Sequence, residues 1–364
     1  MYNKLAMNVK ERKLKIGIIG FGRMGRQYAE ELKKHPLWEL VYICDNNPKA
    51  RKAAASTVSD VIITDNEDIL FADTSLDAVG LFTLADSRPT QVYKALKARM
   101  HILAEKPIAS EIQTEWTLVE AVEKSDLMVA VNLFNRNAWY HQTIIDFIHS
   151  GEIGDLAIIR IAHMTPGHMP QEGHKPEGPA FHDCGMHYVD VARWYANSEY
   201  ATYHSQGVRM WSHHDPWWVQ VHGTFANGVV FDITQGFVYG HLAKKQTHNC
   251  YVDIIGTKGI ARMAHDFQKA TIEMHGITQT IIRTGNFNDK KVDIMVDIFA
   301  RSLIAGENLG YPTVRDSVIA SDMAWKMYYD AVSNGAPCIG RTEDMDEILA
   351  RRRLMKEGYG LPLS

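Results

Sequence analysis

From Leu14 onward the chain alternates short apolar runs with longer mixed stretches, and that alternation predicts its elements. Leu14–Ile19 has the length and apolar content of a buried strand. Arg23–Lys34 reads as a helix that stops at His35-Pro36, because proline disfavours helix at the residue before it. Further buried strands are expected at Leu40–Cys44, Val61–Ile63, Asp77–Thr83, His101–Ala104 and Leu127–Phe134, with helical stretches between them. The longest of these, Ser110–Lys124, opens on a serine followed by acids, a plausible N-cap. Strands alternating with helices imply a parallel, doubly wound sheet, whose ligands bind beyond the carboxyl ends of the strands.

The pattern changes after Gly151-Glu-Ile-Gly154. Trp217–Phe225 and Val229–Val238 flank Ala226-Asn227-Gly228, a hairpin signal, and Cys250–Ile255 and Ile260–Ala264 flank Gly256-Thr-Lys-Gly259. These runs predict a large, mainly antiparallel sheet, while Val292–Ala305 and Asp316–Ser333 return to helix. A sheet with helices on one side leaves a second face, which commonly becomes a subunit interface. The expected division is therefore a dinucleotide-binding domain over 1–135, with the last helices of the chain as candidates to pack back on it. A substrate-binding and oligomerisation domain would fill 136–364.

The junction between the first strand and the first helix carries the chemistry. Gly20-Phe21-Gly22-Arg23-Met24-Gly25 has the G-x-G-x-x-G spacing of a dinucleotide site. Gly20 suits the tight turn, Gly22 lets the backbone approach a pyrophosphate, and Gly25 lets the helix pack on its strand. The helix N-terminus then turns free N–H groups toward the phosphates. About 20 residues on, the second strand ends in Asp45, where this fold places an acid on the adenosine ribose. A carboxylate accepts hydrogen bonds from a 2′-hydroxyl and repels a 2′-phosphate, which favours NAD; Arg51 nearby keeps NADP open. Thr83, at the end of the fourth strand, and Glu105-Lys106-Pro107, after the fifth, fall at the same sheet edge.

At 364 residues the chain is long enough for two cores, and its formal charge of −4 is dispersed among mixed acids and bases. That leaves no basic face for nucleic acid and no polybasic membrane patch, so a small neutral or polar ligand is expected. Four cysteines, at 44, 184, 250 and 338, lack C-x-x-C spacing and suit reduced thiols. Met1–Lys15 is polar and lysine-rich without the apolar core of a signal peptide, which reads as a cytoplasmic protein.

In the second half, Phe181 to Trp194 places Asp183, His187 and Asp190 at intervals of four and three, along one side of an expected helix. Histidine is the side chain best able to take a proton near neutral pH, and an adjacent carboxylate can orient its ring. Histidines crowd this half; His168 and His182 are candidates to hydrogen-bond a sugar, and Trp139 to stack on its apolar face. Their spacing matches no standard ligand pattern, so no metal is assigned. The loop Thr165–Ala180, rich in Gly, Pro and His, is expected to set specificity.

Glycine turn, Asp45, Glu105-Lys106-Pro107 and the Asp183–Asp190 segment follow the order of the glucose-fructose oxidoreductase and inositol dehydrogenase (Gfo/Idh/MocA) family, and the chain resembles that family over nearly its whole length. Asn132 with Arg136, Gly151-Glu-Ile-Gly154 and Gly256-Thr-Lys-Gly259 are further matches. The resemblance implies a Rossmann domain, an open-faced substrate domain, a homodimer or homotetramer, and NAD(P)-dependent oxidation of a sugar, glycoside or cyclitol hydroxyl. It also implies that Lys106, Asp183 and His187 form the catalytic set. His187 would take the hydroxyl proton while hydride leaves to nicotinamide C4, and Lys106 would stabilise the alkoxide. Two alternatives stay open: redox-neutral glycoside cleavage or elimination with retained NAD, and a non-catalytic NAD- and sugar-binding regulator. The stretch Thr83-Leu-Ala-Asp-Ser-Arg88-Pro departs from the family's usual proline and histidine there, so the wall beside the nicotinamide is expected to differ.

Overall fold

The computed structural model describes residues 12–166, 177–211, 213–287 and 290–356. The chain forms two compact units: the first runs to Asn137 and takes back Lys290–Ile319, the second comprises Ala138–Asp289 and Ala320–Ser364.

The first unit is built on six parallel strands, β1 (Leu14–Ile19), β2 (Trp38–Cys44), β3 (Ile62–Thr64), β4 (Ala78–Leu81), β5 (His101–Ala104) and β6 (Val129–Val131), in the order β3-β2-β1-β4-β5-β6. This is the doubly wound Rossmann order, with its switch point between β1 and β4. Because side chains of a strand alternate between faces, the sheet has two apolar cores. Leu14, Ile16 and Ile18 face Tyr28, Ala29 and Leu32 of the helix Arg23–Lys34, together with Met295, Val296 and Phe299 of the helix Val292–Ala305. Val79, Leu81 and Ile102 belong to the core formed with the helices Arg88–Lys97 and Ile112–Glu123. Local chemistry sets the helix ends. Asn47 caps Pro48–Thr57 by accepting from the Lys49 N–H at 2.9 Å, and His35, extended at ψ 128, ends Arg23–Lys34. The strand expected over Leu127–Phe134 is shorter: after Val131 the backbone turns into a 3-10 helix at Phe134–Asn137.

The second unit carries β7 (Leu156–Met164), β8 (Tyr200–Met210), β9 (Trp218–Phe225), β10 (Val230–Gly236), β11 (Asn249–Gly256), β12 (Ile260–His265), β13 (Lys269–His275), β14 (Thr280–Asn286) and β15 (Cys338–Ile339). They form one mixed sheet, ordered β14-β13-β12-β11-β7-β10-β9-β8-β15. Two pairs, β7 with β10 and β8 with β15, are parallel, and the rest are antiparallel. The expected hairpin forms, with Gly228 at φ +88 in a region that only glycine enters freely. The segment Phe181–Ala196 packs on β7 and β10 but is not one regular helix. It begins as a π turn, Phe181–Gly185, and becomes α-helical at Met186–Ala196. Among the described residues no helix is long and apolar enough to cross a membrane.

Candidate functional site

The carboxyl edge of the first sheet collects most of the residues expected to hold a dinucleotide. Gly20 follows β1 at φ +93 and donates to the Cys44 carbonyl at 2.8 Å; a Cβ there would lie 2.7 Å from the carbonyl of Phe82. A Cβ on Gly25 would stand 1.9 Å from the oxygen of Gly20, so helix and turn meet only without one. Gly22 is different, for nothing lies within 4 Å of a Cβ built on it. It is the N-cap of the helix and makes no side-chain cap there. Two glycines are needed for packing and one for an approach from outside, as a pyrophosphate cradle requires. The site fits the cofactor.

Asp45 joins this turn to the end of β2. One of its carboxylate oxygens accepts the Phe21 N–H at 2.7 Å and the other the Asn47 N–H at 2.7 Å. Arg51 donates to the Asp45 carbonyl at 2.8 Å and pairs with Asp65 at 3.3 Å, so its guanidinium is committed to the protein. Arg23 is exposed and Met24 half-buried on the first turn of the helix.

Glu105, Lys106 and Pro107 leave β5 through a cis Lys106–Pro107 peptide. Glu105 is buried and accepts from the Asn132 side-chain amide at 3.0 Å, which ties the ends of β5 and β6 together. Tyr28 stacks on Phe82 with ring centroids 3.9 Å apart; burial first, and then the Glu105 carboxylate, push its phenol well above the usual range, keeping it protonated. The Ile108 N–H, just past the turn, donates to buried Glu115 at 3.1 Å.

One residue that sequence reading passed over organises this edge. Arg88, buried at 3 % exposure, donates to the carbonyls of both Thr83 and Pro107, so one guanidinium joins the end of β4 to the Glu-Lys-Pro turn. The Thr83 hydroxyl in turn donates to Gln91 at 2.7 Å, and Gln91 to Glu67 at 2.8 Å. The departure at Thr83–Pro89 is thus where the chain supplies its own support. The signal was present, since Arg88 stands just before a proline that begins a helix, but its targets lie in other segments. Arg136, one step past the edge, pairs with Asp316 at 3.2 Å, and Asp316 also accepts from the Thr313 N–H and hydroxyl.

In the second unit, Asp183 lies in the π turn, half-buried, while His187 and Asp190 are buried on the helix that follows. The π turn corrects the expectation of a single helix over these residues, because an extra residue in the turn changes the angular step between Asp183 and His187. Gly185 permits it: a Cβ there would touch the Phe181 ring at 3.0 Å. His182 is buried, bonded to the Ser321 hydroxyl at 2.8 Å and stacked on Trp325 at 4.5 Å. Trp139 donates its indole N–H to the Asn286 carbonyl at 2.8 Å and lies under the Arg283 guanidinium at 4.4 Å. His168, and 167–176 of the expected specificity loop, lie outside the described residues.

Comparison with known proteins gives these halves a common context. Residues 14–133 match the family model described as an oxidoreductase family with an NAD-binding Rossmann fold, and residues 141–262 match the GFO/IDH/MocA C-terminal domain. The chain is 25% identical over 268 residues to the uncharacterized oxidoreductase YrbE of Bacillus subtilis, covering 71% of this chain and 75% of that one. It is also 25% identical over 187 residues to the myo-inositol 2-dehydrogenase of Thermotoga maritima, covering 51% and 56%. An oxidoreductase from Agrobacterium radiobacter, solved in complex with NAD+, L-tartaric acid and magnesium, superposes with a TM-score of 0.78 at 19% identity, over 88% of this chain and 97% of that one, which shows the shared fold. With an NAD-binding Rossmann unit at its N-terminal end and the matching sheet domain after it, this chain belongs to the GFO/IDH/MocA family of oxidoreductases.

Proposed function

We propose that the protein is an NAD-dependent dehydrogenase that oxidises a secondary hydroxyl of a sugar, glycoside or cyclitol to a ketone. The observation that carries this reading is the cradle itself: Gly20 and Gly25 packed without room for a Cβ, Gly22 open to the outside, and the Asp45 carboxylate fastened to the Phe21 N–H beside them. The inositol dehydrogenase among its relatives supplies the substrate class. NAD is favoured over NADP because the groups nearest the expected ribose position are a carboxylate and an arginine already bonded to Asp45 and Asp65. A 2′-phosphate would meet negative charge there without a spare guanidinium.

Gly20 to Gly25 and Asp45 would hold the dinucleotide, with Thr83, Glu105, Lys106 and Asn132 along the same sheet edge. When bound, NAD supplies the acceptor for the hydrogen that leaves the carbinol carbon as hydride. His187 takes the hydroxyl proton on a ring nitrogen, and the ammonium of Lys106 binds the same oxygen and stabilises the charge that develops on it. Asp183 binds a neighbouring hydroxyl or orients the imidazole. Glu105 and Arg88 act on Lys106 through the backbone, by holding the turn that carries it.

A panel of cyclitols, free sugars and glycosides, incubated with the protein and NAD and followed by NADH absorbance, tests the reading. At least one class should give net NADH, and His187→Ala should lower turnover by about 100-fold or more. Turnover close to that of the parent chain removes His187 as the base. Glycoside cleavage without net NADH assigns the redox-neutral alternative instead.

A further inference from the structure

The second unit contains a ligand set that the dehydrogenase reading does not use. In the sheet, His163 of β7 pairs in register with Cys250 of β11, and Cys250 pairs in register with His265 of β12. Directly paired residues on adjacent strands share a face. Two imidazoles and a thiol therefore stand side by side in one row, on the face whose next rows are Ile161, Val252 and Met263. Their potential ligand atoms all lie within 4.8 Å of one another.

We propose that His163, Cys250 and His265 form a binding site for a divalent transition cation, zinc by its donor set, which pins three strands of the second sheet together. Two imidazole nitrogens and one thiolate are borderline-soft donors that suit zinc and do not suit magnesium or calcium. A tetrahedral zinc, with bonds of about 2.0–2.3 Å, holds neighbouring nitrogen and sulfur donors roughly 3.5 Å apart. Nδ1 of His163 and Sγ of Cys250 are 3.5 Å apart.

A second observation points the same way. Nδ1 of His265 is buried and has no hydrogen-bond partner, in a ring stacked on Phe287 at 4.2 Å and met edge-on by Phe267 at 4.8 Å. Leaving such an atom dry and unbonded is costly, and coordination removes the cost. The Tyr188 hydroxyl lies 2.6 Å from the same Nδ1 of His163 and would give that nitrogen up to the ion. The row needs no nucleotide and no sugar, so the site stands independently of the proposed reaction.

Zinc content after expression in zinc-supplemented medium and dialysis is the direct measurement. About one zinc per chain is expected for the parent protein, and about 0.1 or less for Cys250→Ser and for His265→Gln. The metal-stripped parent chain, titrated with Co2+, should develop a sulfur-to-cobalt charge-transfer band with intensified visible bands, and Cys250→Ser should not. Far-UV circular dichroism and NAD binding report whether each variant is folded. Should either variant fail to fold, the cobalt spectrum of the parent chain decides alone. Less than about 0.1 zinc with no cobalt band overturns the proposal, as does zinc retained equally by both folded variants.

Discussion

At the residue scale, individual atoms in the cradle have separable tasks. Gly25→Ala would place a methyl group against the Gly20 carbonyl, a backbone group that cannot give way as a flexible side chain would. Titration of the variant by fluorescence should show NAD binding weakened at least about tenfold, or about 1.4 kcal/mol. Asp45→Ala separates binding from support. If the carboxylate serves the ribose, KM for NAD should rise about tenfold while KM for NADP rises less or falls, since a repulsion disappears with the charge. An equal loss with both cofactors would reduce Asp45 to its bonds with Phe21 and Asn47.

At the scale of elements, the sheet edge depends on links between strand ends that are not neighbours in the chain. Arg88 spans Thr83 and Pro107, Glu105 spans to Asn132, and the Gly20 N–H reaches Cys44. Arg88→Met keeps most of the aliphatic length but leaves two carbonyls without their donor. Urea unfolding should show a loss of about 2 kcal/mol or more, because unpaired buried acceptors cost about 1–3 kcal/mol each. NAD turnover should fall further than stability explains, since the turn carrying Lys106 loses its anchor; turnover unchanged in a folded variant would contradict that coupling. The strands of the first unit were legible because β1, β2 and β5 are short apolar runs bounded by turn residues. The strand at Val129–Val131 was over-extended, since Leu133 and Phe134 carry the apolar run past Asn132 although the chain is already turning. The π turn at Phe181–Gly185 has no signature in residue type alone.

At the scale of the whole molecule, buried imidazoles link folding to pH. Burial pushes His213 down to about 4, and it also lowers His101. A histidine kept neutral in the fold binds fewer protons than its unfolded counterpart between the two pKa values, so stability rises with pH across that window. The contribution is complete above about pH 6.5, the unfolded value, and is lost progressively toward pH 4. Carboxylates held low, such as Asp266 and Glu123, act in a lower window, below their unfolded values near 4. Calorimetry should find Tm nearly constant from about pH 7 to 8 and falling steadily from about 6.5 to 4. His213→Gln, if folded, should flatten part of that slope; a Tm highest near pH 5 would contradict the account.

The alternation of strands and helices, the glycine cradle with Asp45, and membership of a family of NAD-binding oxidoreductases were determined by the sequence alone. Each rests on residues a few positions apart, or on an order of motifs that survives without knowledge of their contacts. Tertiary structure alone decided which carbonyls Arg88 holds, which amide Glu105 accepts, and that His163, Cys250 and His265 share a row. The last case shows the physical reason. His163 and Cys250 are 87 positions apart, and only the register of β7 against β11 brings an imidazole within 3.5 Å of a thiol. A shift of that register by one residue would turn the cysteine to the other face, and no local pattern in either strand records which register the sheet adopts.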